Sequence, residues 1–451
     1  MPPFEWSRHP EADQLVRGLV DGLLSRCAPV ARLAEAMREQ TGTRFFDWVD
    51  HLVLPVTSRL EQELLAAGFV SKSVPGAVRC LVHEGGMFPR VLLGEGAVSR
   101  VAIKVESVTD FLCAWHVPPA EPTEGAPLSP LRRARAFEED GVELWVIERH
   151  GHRGFDLPEW SARQSALALR HAESFRRRQR DFSDDVAGFI AANRLIDAAV
   201  ADLGVGYACD LFFAAEREYW QRRNRAGQMQ KARQDRLGLG WANHDHHTYR
   251  SSREHFSRLI LTLEKLGFVC RERFYAGAEA GWGAQVLEQT DAGVVVFADV
   301  DLSPDEVLGD FARNPLSSRD ELGTVGLWCG LHGEAFLQAG MHHLEAQFDF
   351  DVVREQLESR EDVHVMKPFT DFPHLRQAFT EGERWPVREG RIARLLDRGL
   401  ITHEQAESFR RQGAIGSHLE NLERNEGFKG FNQRGISQII SHTDPRRQNG
   451  A

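Results

Sequence analysis

Apolar residues recur at three- and four-residue spacings in some stretches of the chain, and in others they form short β-branched runs. The first pattern covers residues 1–43, in DQLVRGLVDGLL and VARLAEAMREQ, and predicts helices. The second begins at WVDHLVLPV (48–56), which is followed by SRLEQELLAAGF, a helix that opens on serine and closes at glycine. The chain is therefore expected to start with helices and to continue as strand, helix and further strands.

The strand and helix pattern repeats before it gives way to helices. It restarts at RVAIKVESVTDFLCAW (100–115) and ends on VELWVIERHGH (142–152), so that 45–152 contains two such units in tandem. From about 153 to 238 the stretches are long, charged and amphipathic, as in DVAGFIAANRLIDAAVADL, which predicts a helical insert.

A second copy of the pattern occupies 240–387. NHDHHTYRSS is predicted as a strand and SREHFSRLILTLEKLGF as a helix. Strands are predicted again at GVVVFADVDL, GTVGLWCGL, HHLEAQFDF and QAFTEGERWPV, and helices at 389–412 and 416–424. The expected fold class is α+β, with paired βαβββ modules forming curved sheets. The expected divisions are 1–44 (N-terminal helices), 45–152 (a first module pair), 153–239 (a helical insert) and 240–451 (a second module pair with C-terminal helices).

Composition narrows the classes of function. With 42% hydrophobic and 27% charged residues, the 451-residue chain has the composition of a globular protein that can enclose a site. A net charge of −11 opposes binding to nucleic acid. The six cysteines are scattered, no secretory signal is present and no apolar run would span a bilayer, so we expect a cytoplasmic protein with no membrane partner. The oligomeric state is not predicted.

The first candidate for chemistry is WANHDHHTYRSS (241–252). Side chains alternate along a strand, so His246 and Arg250 share one face together with His244 and Thr248. An imidazole ligand beside a guanidinium suits a metal that also receives an anionic substrate, because arginine holds a carboxylate through two parallel hydrogen bonds.

The second half of this copy supplies further candidate ligands. In MHHLEAQF, alternation allows only one of His342 and His343 to face inward, and in QAFTEGERW, Glu381 and Glu383 face the same way. Two histidines and one carboxylate from separate strands make the facial triad that leaves open positions on non-haem Fe(II). No HExxH spacing or cysteine partner supports a structural zinc site.

These stretches resemble the vicinal oxygen chelate superfamily, in which histidines on the first strand of two units and a glutamate on the last strand hold a metal. HHTYRSSREHFSRLILTLEKLGF, MHHLEAQFDFDVVREQL, FTEGERWPVREGRIARLLDRG and GFNQRGISQII look like the corresponding stretches of the 2-oxoadipate dioxygenase/decarboxylase (hydroxyglutarate synthase) family. The resemblance covers roughly residues 240–440. It implies an Fe(II)-dependent enzyme that converts a 2-oxo acid and O2 into a 2-hydroxy acid with loss of CO2.

Carried over by position, the resemblance implies His246, His343 and Glu381 as iron ligands and Arg250 as the catalytic, substrate-binding arginine. The late substrate-binding loop of the family aligns with Phe431, Asn432, Ser437 and Gln438, and the substrate would also lie against His246. This chain departs from the family where Thr-Pro-Arg is replaced by Glu345-Ala346-Gln347, and where Gly382 and Arg384 replace an apolar residue and a glutamine. A different substrate is compatible with those departures.

The N-terminal copy starts with a similar strand, Asp50-His51-Leu52, but lacks partner ligands. RVAIKVES contains no histidine, and Trp145 stands where the glutamate would align. We therefore expect 45–152 to be a degenerate, non-catalytic module pair in which His51 is structural.

The resulting hypothesis is a non-haem Fe(II) dioxygenase/decarboxylase that acts on a 2-oxo acid of the 2-oxoadipate kind. Two alternatives stay open: a metal-dependent isomerase or lyase on the same scaffold, and a non-catalytic protein that binds a small molecule. Oxygen consumption by the iron-loaded protein on addition of a 2-oxo acid separates the first from the others.

Overall fold

The computed structural model describes residues 6–118 and 122–432. No helix in those two stretches is both long and apolar enough to cross a membrane. All six cysteines are free thiols. The described strands form two large sheets, one from each copy of the sequence pattern.

The N-terminal part contains two helices followed by a seven-stranded sheet with two helices of its own. Its elements are α1 (Pro10–Leu24), α2 (Ala28–Thr41), β1 (Val49–Pro55), α3 (Ser58–Ala66), β2 (Val70–Val74), β3 (Ala77–Val82), β4 (Arg90–Gly94), β5 (Ser99–Lys104), α4 (Val108–Ala114), β6 (Leu131–Glu139) and β7 (Val142–Arg149). The strand order is β2-β3-β4-β1-β5-β7-β6. One βαβββ module, β1 to β4, therefore lies beside a shorter module, β5 to β7.

Four helices form the insert: α5 (Ala162–Arg176), α6 (Asp185–Leu203), α7 (Val205–Gln221) and α8 (Arg225–Asp235). Their apolar faces join the core of the second sheet, where Phe213 of α7 packs against Tyr249 and Phe268. The N-terminal helices instead share a core with the first sheet.

The second sheet has nine described strands and five helices in its sequence. The elements are β8 (His244–Arg250), α9 (Phe256–Lys265), β9 (Val269–Tyr275), β10 (Trp282–Gln289), β11 (Val294–Asp301), α10 (Thr324–His332), β12 (His343–Gln347), α11 (Phe350–Arg360), β13 (Thr370–Phe372), β14 (Leu375–Phe379), β15 (Glu383–Trp385), α12 (Glu389–Asp397), α13 (His403–Gln412) and β16 (Ala414–Arg424).

The order β13-β14-β16-β12-β8-β11-β10-β9 places two βαβββ modules side by side, and β15 pairs with β16. In the first module β8 runs parallel to β11, and in the second β12 runs parallel to β16. The antiparallel pair of β8 and β12 joins the modules at the centre of the sheet. The expected α+β class with tandem βαβββ modules is confirmed.

Three expected elements were wrong. QAFTEGERWPV, expected as one strand, is divided between β14 and β15. Residues 416–424 form most of strand β16 rather than a helix. The three-residue spacing of Leu419 and Leu422 imitates a helix, but β12 and β14 flank this strand and nearly all of its residues are buried. GTVGLWCGL forms helix α10 instead of a strand. It is apolar on all sides because it is buried, and Asp301 accepts hydrogen bonds from the first-turn N–H groups of Val325 and Gly326.

Candidate metal centre

Two histidines and two glutamates converge at the centre of the second sheet. His246 lies on β8, His343 and Glu345 on β12, and Glu420 on β16, and one ligand atom from each lies within 4.8 Å of the others. We call this set the His/Glu cluster. All four side chains are buried. The cluster exists because β12 is flanked by β8 and β16, so that pleat-related residues of three adjacent strands share one face.

The contacts within the cluster are close. His343 Nε2 lies 3.4 Å from Glu345 Oε1 and 3.5 Å from Glu420 Oε2, and His246 Nε2 contacts Glu345 Oε1. Gln377 Nε2 donates a hydrogen bond to Glu420 Oε1 at 2.9 Å, whereas Glu345 Oε2 is buried and has no hydrogen-bond partner among the described residues. Two imidazoles and two carboxylates, one of which has an oxygen without a hydrogen bond, are a donor set that fits a divalent cation.

Burial sets the protonation of these groups. It lowers the pKa of His246 to about 4, although Asp245 opposes the shift, and it holds the pKa of His343 well below its ordinary value. Burial and repulsion by Glu420 hold the pKa of Glu345 well above its ordinary value, and burial raises the pKa of Glu420 to about 7. Both imidazoles are therefore neutral, the form that binds metals, and a cation would relieve the repulsion between the two carboxylates.

Asp245 and Arg424 hold the ring of His246. Asp245 Oδ1 lies 3.0 Å from His246 Nδ1, and Arg424 binds both oxygens of Asp245 at 2.9 and 3.0 Å. Although burial opposes it, Arg424 keeps the pKa of Asp245 below its ordinary value, so the carboxylate is charged. A charged Asp245 accepts a hydrogen bond from protonated Nδ1 and leaves Nε2 unprotonated toward the cluster, as carboxylates behind metal-binding histidines do.

The first sheet repeats this support without the ligands. His51 Nδ1 lies 2.7 Å from Asp50, whose oxygens accept hydrogen bonds from Arg149 at 2.8 and 2.9 Å. Ala102 on β5 pairs with Trp145 on β7 in the first sheet. These positions correspond to Glu345 on β12 and Glu420 on β16, which pair in the second sheet. The ligand-bearing positions thus hold a methyl group and an indole.

The structure brings two of the three expected ligands together, His246 and His343. His342, the neighbouring alternative, packs against Trp328 and His418 on the other side of the strand. Glu381 does not reach the cluster. It lies in the turn between β14 and β15 with an exposed side chain. The cluster instead contains Glu420 on β16, the last strand of the module. Helices α12 and α13 lie between β15 and β16 in the sequence, so the last strand falls beyond the stretch that contains Glu381.

A cavity of about 70 Å³ borders the cluster and is largely aromatic. Phe431 and Asn432, both expected to bind substrate, line it, and the rings of Phe431 and His246 lie 5.0 Å apart. Its other aromatic walls are Phe274, Trp282, Phe297, Phe369 and Phe379. Ser437 and Gln438, expected in the same loop, lie outside the described residues.

Arg250 is buried behind this cavity and does not line it. Its Nε lies 3.9 Å from Oδ2 of Asp299, which does line the cavity, and its guanidinium stands 5.7 Å from the centre of the Trp328 ring. Burial raises the pKa of Asp299 to about 8, with Arg250 opposing the shift. Arg250 therefore places a positive charge one side chain away from the cavity.

Two signals pointed to residues that the sequence analysis missed. Glu345 follows His343 by two positions, so both were bound to share a strand face. Glu420 precedes Arg424 in SHLENLER as Trp145 precedes Arg149 in VELWVIER, at the same four-residue spacing. This alignment between the two copies would have identified β16 as the last strand.

The comparisons with known proteins concern the fold. No family model and no curated protein matches the chain. A mutant of 4-hydroxymandelate synthase from Streptomyces coelicolor aligns over 90% of this chain and 99% of its own at 12% identity, with a TM-score of 0.27. An uncharacterized protein from Shigella flexneri that includes domain DUF1338 aligns over 64% of this chain and 85% of its own at 12% identity, with a TM-score of 0.25.

Methylmalonyl-CoA epimerase from Mycobacterium tuberculosis aligns over 41% of this chain and 88% of its own at 12% identity, with a TM-score of 0.24. At such values these proteins carry no argument about chemistry.

Proposed function

We propose that this protein is a non-haem Fe(II)-dependent oxygenase that decarboxylates a small 2-oxo acid and gives a 2-hydroxy acid. The observation that carries the proposal is the convergence of His246, His343 and Glu420 at the wall of an aromatic cavity. Two neutral imidazoles and one carboxylate from three strands are the ligand set of the facial triad. Glu420 replaces Glu381 in this proposal.

The iron would supply the oxidative chemistry, and the chain would supply position, charge and exclusion of water. Asp245 and Arg424 orient His246, and Gln377 orients Glu420. Arg250 would stabilise the substrate carboxylate, with Asp299 standing between them. The aromatic walls keep water from the reacting atoms, and the cavity of about 70 Å³ favours a short acid over a drug-sized ligand.

Glu345 favours a second candidate, a metal-dependent isomerase or lyase. If all four groups of the His/Glu cluster bind an octahedral cation, two positions remain for a substrate. Two positions would accept a chelating acid but would leave none for O2. On that reading the four side chains would hold the metal, which would supply Lewis-acid polarisation of the substrate, and no oxygen would be consumed.

The test is oxygen uptake by protein loaded with Fe(II) under anaerobic conditions and then offered a panel of 2-oxo acids. We expect consumption of one O2 for each CO2 released and a 2-hydroxy acid as product. Glu420→Ala should lose both metal and activity. Glu381→Ala is the matched control and should retain both, because Glu381 is exposed and outside the cluster.

Metal binding without oxygen uptake for any acid in the panel would refute the oxygenase and leave the isomerase or lyase. Equal metal content in the wild type, Glu420→Ala and His246→Ala would refute the metal centre itself.

A further inference from the structure

A second group of ligand-type side chains lies where the helical insert meets the second sheet. Asp185 begins α6, His255 directly precedes α9, and Glu334 follows α10. One ligand atom from each lies within 4.8 Å of the others. We call this set the insert cluster. It shares no residue with the His/Glu cluster.

His255 is the observation that points to a ligand. His255 is only 6% exposed, and its Nδ1 has no hydrogen-bond partner among the described residues. Its Nε2 lies 3.9 Å from Asp185 Oδ2, too far for a hydrogen bond. Phe189 packs 5.8 Å from the ring centre and keeps the imidazole in place. A buried imidazole nitrogen without a hydrogen bond is costly, and a cation bound at Nδ1 would satisfy it.

Glu334 is already oriented. Its Oε2 accepts a hydrogen bond from Ser251 Oγ at 2.8 Å, and both carboxylate oxygens lie 3.2 Å from the backbone nitrogen of Ser252. Burial raises the pKa of Glu334, and the nearby charge of Asp185 adds to the shift. Two neighbouring carboxylates, one of them buried, gain from a cation between them.

The neighbouring arginine is engaged elsewhere. Arg391 interacts electrostatically with Asp185, but its guanidinium donates a hydrogen bond to Gln338 Oε1 at 3.1 Å. Its other hydrogen bonds go to the backbone oxygens of Cys329 and Gly330, so its guanidinium is committed to groups outside the insert cluster.

We propose that the insert cluster is a second cation site that binds a divalent ion of the zinc class through His255, Asp185 and Glu334. One nitrogen and two oxygen ligands suit such an ion, and a water molecule would complete the shell from the half-exposed side of Asp185. The ion would fasten α6 of the insert to the loop that follows Arg250, because Glu334 holds Ser251 and Ser252.

The test uses Zn²⁺ as the probe, with equilibrium dialysis and elemental analysis of the full chain. The wild type should bind two equivalents, and a His343→Ala/Glu420→Ala variant should keep one. Adding His255→Gln or Asp185→Asn to that variant should remove the remaining equivalent. Asp197→Asn, on the exposed face of the same helix, is the matched control and should leave it bound.

Thermal melting supplies a second readout. Zn²⁺ should raise the melting temperature of the His343→Ala/Glu420→Ala variant and leave it unchanged when Asp185→Asn is added. The proposal is overturned if the His343→Ala/Glu420→Ala variant binds no Zn²⁺, or if its remaining equivalent survives both His255→Gln and Asp185→Asn. Because the primary ligands are absent in these variants, the result does not depend on the proposed oxygenase.

Discussion

At the scale of single residues, Glu345 distinguishes the two candidate functions, because the oxygenase needs three metal ligands and the isomerase or lyase would use four. Its carboxylate touches His246 and lies 3.4 Å from His343, yet His246, His343 and Glu420 alone would supply the three ligands of the proposed facial triad. We expect Glu345→Gln to retain Fe(II), with less than about a tenfold loss of affinity, and to retain oxygen uptake. Glu420→Gln should lose both. Loss of Fe(II) from Glu345→Gln as complete as that from Glu420→Gln would show that all four groups bind the metal, as the isomerase or lyase requires.

Protonation of the same carboxylates predicts how metal uptake depends on pH. The pKa of Glu420 is raised to about 7 and that of Glu345 lies well above its ordinary value, so below pH 7 the metal-free protein holds protons that the cation must displace. Binding should therefore release more protons at pH 6 than at pH 8.5. Calorimetric titration in buffers of different ionisation enthalpy measures this number. An equal release at both values would contradict the raised pKa of Glu420.

At the scale of the strands, an aspartate and an arginine orient one histidine in each sheet. The pair in the first sheet serves as a control for the pair in the second. Asp245 and Arg424 hold His246 as Asp50 and Arg149 hold His51. We expect Asp245→Asn to weaken metal binding by about 10- to 100-fold, because the amide no longer fixes the tautomer of His246. The matched Asp50→Asn should leave metal affinity unchanged. Equal effects of the two substitutions would show that the loss is one of general stability.

Strands β8 and β16 show how much of the site could be predicted from the sequence. Alternation along HDHHTYR put His244, His246, Thr248 and Arg250 on one face, and the family resemblance chose His246 from that set. β8 is not a regular strand, because its register against β12 shifts between His244 and His247. The carboxylate was missed because the last strand, β16, follows two intervening helices and has a leucine spacing that imitates a helix. Periodicity reports which faces are buried, but it does not report which strands pair. That pairing is decided by contacts between β12 and β16, about 75 residues apart in register.

At the scale of the whole molecule, the helical insert supports the ligand strand. Phe213 of α7 is fully buried, and its ring centre lies 5.1 Å from that of His247 and 6.1 Å from that of Tyr249, both on β8. The polar side of the insert is fastened as well, because Arg178 and Glu216 form a buried ion pair at 2.9 Å and Tyr249 donates a hydrogen bond to Glu216. The insert therefore forms the back of the face that carries His246.

This packing predicts that a substitution in the insert changes metal binding on the sheet. Phe213→Ala should lower the free energy of unfolding by about 3–5 kcal/mol, the usual cost of removing a buried ring, and should weaken Fe(II) binding because β8 loses its backing. Phe372→Ala, at a position 43% exposed, is the control and should change neither quantity appreciably. Urea unfolding of the metal-free protein measures the first effect, and metal titration of the folded protein measures the second. If Phe213→Ala were destabilised but bound metal as tightly as the wild type, the insert would contribute to stability alone, and the ligand strand would hold its geometry from within the sheet.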